Sequence, residues 1–71
     1  MEIKEKIWQK VDRVEKVREF KDLTKGDTAG LIGVSRATYY NWLNRDTLPD
    51  WSQVEKINKF LNKYDPESEE R

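Results

Sequence analysis

The chain has 71 residues, 35% of them hydrophobic and 39% charged, with a formal net charge of zero, which bounds it to one small domain. It holds no cysteine and no histidine, which excludes disulfide frameworks, zinc sites built on those ligands, histidine triads and cysteine nucleophiles. Its glycines open no P-loop, its longest apolar run lies around Leu31–Ile32–Gly33–Val34 and cannot span a membrane, and the first residues carry no signal-peptide core.

Residues 2–21 read as one long helix of about 30 Å. Ile3, Ile7, Val11, Val14 and Val17 recur every three or four positions, and Trp8 and Phe20 widen that stripe. Charged residues fill the other faces. Asp12 and Lys16 form an attractive pair at i,i+4, whereas Glu15 and Glu19 repel. Thr24 is placed to cap a short second helix over 25–32, with Asp27 three residues on. Gly26 and Gly30 each weaken that helix by ~1 kcal/mol relative to Ala. Packing must therefore hold it, or Gly30 must admit a close helix approach. Gly33 follows the last apolar pair and fits a left-handed helix end. Ser35 caps a third helix over 36–44. Its pattern turns Tyr39, Trp42 and Leu43 one way and Ala37, Tyr40, Asn41 and Asn44 the other. Residues 45–49 form a loop ending in Pro49. Asp50 and Gln53 make a capping box for a fourth helix. Its buried stripe is Trp51, Val54, Ile57, Leu61 and Tyr64, with Phe60 adjacent. Asp65-Pro66 ends it. The chain thus reads as all-α: a compact four-helix domain over 1–64 with a central helix-turn-helix and a long N-terminal helix. An acidic tail, expected to be disordered, occupies 65–71.

The zero net charge is a sum of unlike parts. Residues 64–71 hold four acids and one base, a net of −3, so residues 1–63 carry +3. Elsewhere carboxylates alternate with lysines on helix faces, the mark of a solvated surface. So short a chain leaves little room for an enclosed substrate cleft. An enzyme is therefore the weakest class, and no cofactor, metal or small-molecule substrate is expected.

Two short helices joined by a tight turn impose a physical pattern. A small residue midway along the first lets the second pack close, a glycine four positions later takes the positive φ of the turn, and apolar residues lock the pair. Ala29, Gly33 and the set Ile32, Val34, Tyr39 and Trp42 meet that pattern. Residues 23–61, LTKGDTAGLIGVSRATYYNWLNRDTLPDWSQVEKINKFL, resemble the Cro/repressor-like (XRE-type) helix-turn-helix family. The resemblance rests on Leu23-Thr24, the Ala29-to-Gly33 spacing, Gly33-Val34-Ser35-Arg36, Trp42, and Leu48-Pro49 leading into a Leu/Ile-patterned helix. The chain departs from the family in several places. Thr28 stands where Leu is usual. Leu43 stands where a Glu often pairs with an arginine such as Arg18, and Arg45 where Gly is common. There is no fifth helix.

The resemblance implies double-stranded DNA as partner, with the third helix in the major groove and the second crossing the backbone. It implies base contacts from Arg36 to guanine, Asn41 to adenine and Ala37 to a thymine methyl, with Thr38, Tyr40 and Arg45 in second rank. Thr24, Lys25, Ser35, Asn44 and Thr47 are placed for phosphate. The expected state is a monomer or weak homodimer with no membrane contact. A natural bacterial or phage regulator of this kind would work in the cytoplasm on the nucleoid. Caps at three helix starts, Lys and Glu along the first helix and the lack of cysteine are also what design rules produce, while the glycine-rich second helix points to a natural template. The rival class is a protein-interaction or dimerisation module using Trp8, Phe20, Phe60 and Tyr64 on the first and fourth helices.

Overall fold

The computed structural model describes residues 3–66 and contains four helices: α1 (Ile3–Lys21), α2 (Lys25–Ile32), α3 (Arg36–Leu43) and α4 (Trp51–Tyr64). No strand occurs among the described residues. The expected all-α, four-helix architecture is what forms. Of the tail expected over 65–71, residues 67–71 lie outside the described set. Asp65 caps the end of α4 and binds Arg13 of α1 with both carboxylate oxygens, at 2.6 and 2.7 Å.

Local chemistry sets each helix start. Thr24 Oγ1 accepts the Asp27 N–H at 2.9 Å, and Ser35 Oγ accepts the Thr38 N–H at 3.1 Å. Asp50 and Gln53 exchange two hydrogen bonds of 2.9 Å in a full capping box. Each satisfies amides that the first turn leaves without a helical partner.

The first three helices end alike. In each, one residue takes a left-handed conformation: Asp22 (φ 60°), Gly33 (φ 101°) and Arg45 (φ 63°). The next amide reaches back five residues, from Leu23 to Arg18, Val34 to Ala29 and Asp46 to Asn41, at 2.8–3.0 Å. That is the Schellman arrangement. Glycine was expected only at the second of these ends. At Arg45 an arginine adopts the backbone shape glycine would favour.

The core lies between α1, α3 and α4, with α2 closing one side. It contains Val11, Val14, Val17, Ala29, Ile32, Tyr39, Trp42, Ile57 and Phe60. Each fully buried aliphatic or aromatic side chain of this kind contributes ~1.5–3 kcal/mol. Tyr39 and Trp42 meet edge to face, with ring centroids 6.0 Å apart. Thr28, where the family has Leu, is wholly buried, and its hydroxyl donates to the Thr24 carbonyl at 2.9 Å, so the corner is filled and satisfied.

Three expectations about the core change. Ile3 and Trp51 are not part of the buried stripes: they are 66% and 71% exposed. Both sit at the N-terminal ends of α1 and α4, at the edge of the helix pair. Phe20, at the other end of α1, is 71% exposed. Gly30 has open space around it, with no atom within 4 Å of where a Cβ would stand, so it admits no close helix approach.

Candidate nucleic-acid interface

Tight backbone turns hold α3 at both ends. Gly33 is one of them; a Cβ there would meet only Lys56 Cδ at 3.8 Å, so the glycine answers to its φ and not to crowding. With α3 fixed, its two faces separate. Tyr39 and Trp42 are buried, Leu43 is half-buried, and Arg36, Ala37, Tyr40 and Asn44 are exposed, with Asn41 and Thr38 half-buried beside them.

The exposed face of α3 is continuous with the start of α2. A Cβ at position 26 would lie 3.6 Å from Arg36 Cδ, so the Arg36 stem runs past the first turn of α2. Lys25 Nζ stands 5.8 Å from the centre of the Tyr40 ring. A shallow depression is lined by Lys25, Tyr40, Leu43 and Asn44. One surface therefore carries Thr24, Lys25, Arg36, Ala37, Tyr40 and Asn44. Among the described residues Arg36 makes no hydrogen bond or ion pair. Thr24 and Ser35 spend their oxygens as caps, and each hydroxyl still has a proton to give. Ser35 Oγ also lies 2.8 Å from Thr38 Oγ1. Thr47 is exposed on the loop after α3.

Arg45 stands apart from this group. Its guanidinium lies 4.4 Å over the Trp8 ring and binds Asp12 at 3.0 Å, both on α1. Its side chain is drawn onto α1, whereas the sequence pattern counted it with the groove-facing set. Its positive φ, at a position where the family favours glycine, is the signal for this role.

A second tie to α1 carries no sequence signature beyond an i,i+3 spacing. Glu15, read from the sequence only as a repulsive neighbour of Glu19, accepts hydrogen bonds from Tyr39 Oη at 2.7 Å and from Arg18 at 2.9 Å. Arg18 also donates to the Leu23 carbonyl at 2.9 Å. The arginine that lacks a glutamate at position 43 thus finds one within α1. Partial burial raises the Glu15 carboxyl, but the hydrogen bonds from Arg18 and Tyr39 outweigh it and hold the group below its ordinary value. Burial, then the bond to the Glu15 carboxylate, push the Tyr39 phenol well above its ordinary value. Tyr39 is thereby a neutral donor at any physiological pH, and α3 is pinned to α1 through it.

Among the described residues no group of His, Cys, Asp and Glu is arranged to hold a metal ion, and no helix is long and apolar enough to cross a membrane. Of the aromatics assigned to an interaction face, Phe60 is buried and Trp8 and Tyr64 pack half-buried against the core, leaving Phe20 exposed.

Comparison with known proteins returned no match among curated proteins and none among solved structures. A family model described as helix-turn-helix (HTH_3) matches residues 14–67, the last three-quarters of α-helical chain including the whole of α2, α3 and α4. The chain belongs to this helix-turn-helix family, a Cro/repressor-like group of DNA-binding domains.

Proposed function

We propose that the protein binds double-stranded DNA sequence-specifically through α3 in the major groove, as a small transcriptional regulator or a designed DNA binder. The observation that carries this reading is the arginine without an internal partner at the first position of α3, on one surface with Lys25, Tyr40 and Asn44. A buried or paired arginine has spent its donors; this one offers a planar fork to guanine O6 and N7. Ala37 meets a thymine methyl, Asn41 reads adenine, and Thr38 and Tyr40 reach neighbouring base edges or sugars. Thr24, Lys25, Ser35, Asn44 and Thr47 position the domain on phosphate. Arg45 supports α3 from behind and is not assigned a base.

The charge distribution sets the kind of binding expected. The body carries only +3, so non-specific attraction to phosphate is modest and placed contacts must provide the affinity. Truncation after Pro66 removes a net of −2 while keeping the Arg13–Asp65 bridge. It should strengthen non-specific binding.

Selection of bound duplexes from a random library tests the reading. An enriched motif is the expected result, with log affinity falling against log salt at about −0.9 per phosphate contact. If no duplex outcompetes bulk DNA at physiological salt, sequence-specific binding is wrong.

A further inference from the structure

The two most exposed large apolar residues of the N-terminal helix ends, Ile3 and Trp51, stand on either side of one groove. It has a volume of about 370 Å3 and runs between α1 and α4, with Ile7 and Val54 among its walls. Its rims are charged and unlike. Lys6 and Lys10 line it from α1, and Glu55 lines it from α4. Neither lysine makes an ion pair with Glu55 within the chain, and none of the three has any such partner among the described residues. Isolated exposed apolar residues are ordinary, but two flanking an apolar-walled groove mark a contact surface.

The pattern selects the occupant. An interface between two identical chains is self-complementary under a two-fold axis. If the axis runs along the groove, α1 of one copy faces α4 of the other, and Lys6 and Lys10 meet the partner's Glu55. If it runs across the groove, α1 faces α1 and lysine meets lysine. The first arrangement pairs both rims and seats Trp51 of each copy over the other's groove. The chain's zero net charge opposes no such approach. We infer that the Ile3–Trp51 groove is the seat of a second copy of this chain, joined along a two-fold axis parallel to the groove. The patch is smaller than the ~1,600 Å2 of a standard interface, so the dimer dissociates in the micromolar-to-millimolar range. DNA binding is not required for it.

Sedimentation equilibrium from about 10 µM to about 1 mM reads this directly. The expected mass rises from 8.5 kDa toward twice that value. Trp51→Ala should raise the dissociation constant at least ~10-fold with an unchanged melting temperature, since the side chain is solvent-facing. Glu55→Lys should weaken association, and adding Lys6→Glu and Lys10→Glu to it should restore it. A chain that stays monomeric at about 1 mM assigns the groove to a different protein and overturns the proposal. So does a dimer indifferent to Trp51→Ala, or a charge reversal whose second half brings no recovery.

Discussion

Two arginines bracket α3, and they face opposite tasks. Arg36 opens the helix, lies along the first turn of α2 and has no partner within the described chain. Arg45 follows its last turn, in a left-handed backbone conformation, with its guanidinium stacked on Trp8 and bound to Asp12. The residue type is the same, and so is the distance from a helix end. What differs is where the backbone aims the side chain. A right-handed first turn sends Arg36 outward over α2, whereas the left-handed residue reverses the chain and delivers Arg45 to α1. An arginine near a reading helix is therefore a contact or a brace according to φ, and composition alone does not distinguish them.

The largest expected effect separates the two by readout. Arg36→Ala should lower affinity for the selected duplex by ~1–3 kcal/mol, roughly 10- to 100-fold, and relax preference at one base. Its melting temperature should stay within the ~0.5 kcal/mol scatter of surface changes. Arg45→Ala should do the reverse, costing stability with little loss of base preference. Duplex titration beside thermal melts decides it; equal loss of discrimination in both variants would undo the distinction.

The next effect concerns the middle of the same helix. Tyr39→Phe removes the donor that Glu15 accepts at 2.7 Å and should cost ~1–2 kcal/mol in urea unfolding. The Glu15 carboxyl is held below its ordinary 4.5 in the folded chain. Its contribution is thus fully present above the unfolded value and is lost as pH falls through the lower, folded one. Stability of the parent should drop across that acid window. Glu15→Gln should flatten this part of the profile, and Tyr39→Phe should narrow it. A Glu15→Gln profile that tracks the parent's would mean that the carboxylate is not held this way.

Much of this was legible before any coordinates. Caps at Thr24, Ser35 and Asp50 and the glycine at 33 are local signals, and all four stand where the pattern put them. The burial of Tyr39 and Trp42 follows from spacing. The ties to α1 were not legible, because Tyr39 and Glu15 are 24 residues apart and Arg45 and Asp12 are 33 apart. Periodicity says which face is inward but not which residue a polar tip will find. It also fails at helix ends: Ile3 and Trp51 fit their stripes in phase, yet the partner helix does not cover them. Of the candidate interface, the exposed face of α3 was readable in full, and only Arg45 was misjudged, since nothing local marks a left-handed arginine.

Substitution of the two left-handed helix ends measures the backbone part of that misjudgement. Gly33→Ala meets no crowding, so its cost is conformational, ~1–2 kcal/mol. At Arg45 the conformational cost is already present. Arg45→Ala keeps it and loses the stack and the ion pair, ~1 kcal/mol together. Arg45→Gly loses the same contacts but relieves the left-handed strain, and should fall within ~0.5 kcal/mol of the parent. Chemical denaturation of the three variants should give that order. An Arg45→Gly variant less stable than Arg45→Ala would place the weight on the flexible unfolded chain and not on folded strain.

The smallest effect divides what holds Arg45. Its pair with Asp12 joins side chains that are 44% and 60% exposed, so water and salt screen it. Asp12→Asn should cost no more than ~0.5 kcal/mol at low salt, a shift of about 2–4 °C in a domain of this size. In about 1 M salt, where screening acts within ~3 Å, that difference should vanish. The stack on Trp8 is less sensitive, because the ring excludes water from one face of the guanidinium. Arg45→Ala should therefore still cost stability in high salt while Asp12→Asn does not. If salt erases both, the ion pair alone braces α3; if it erases neither, the brace is packing of the arginine stem against α1.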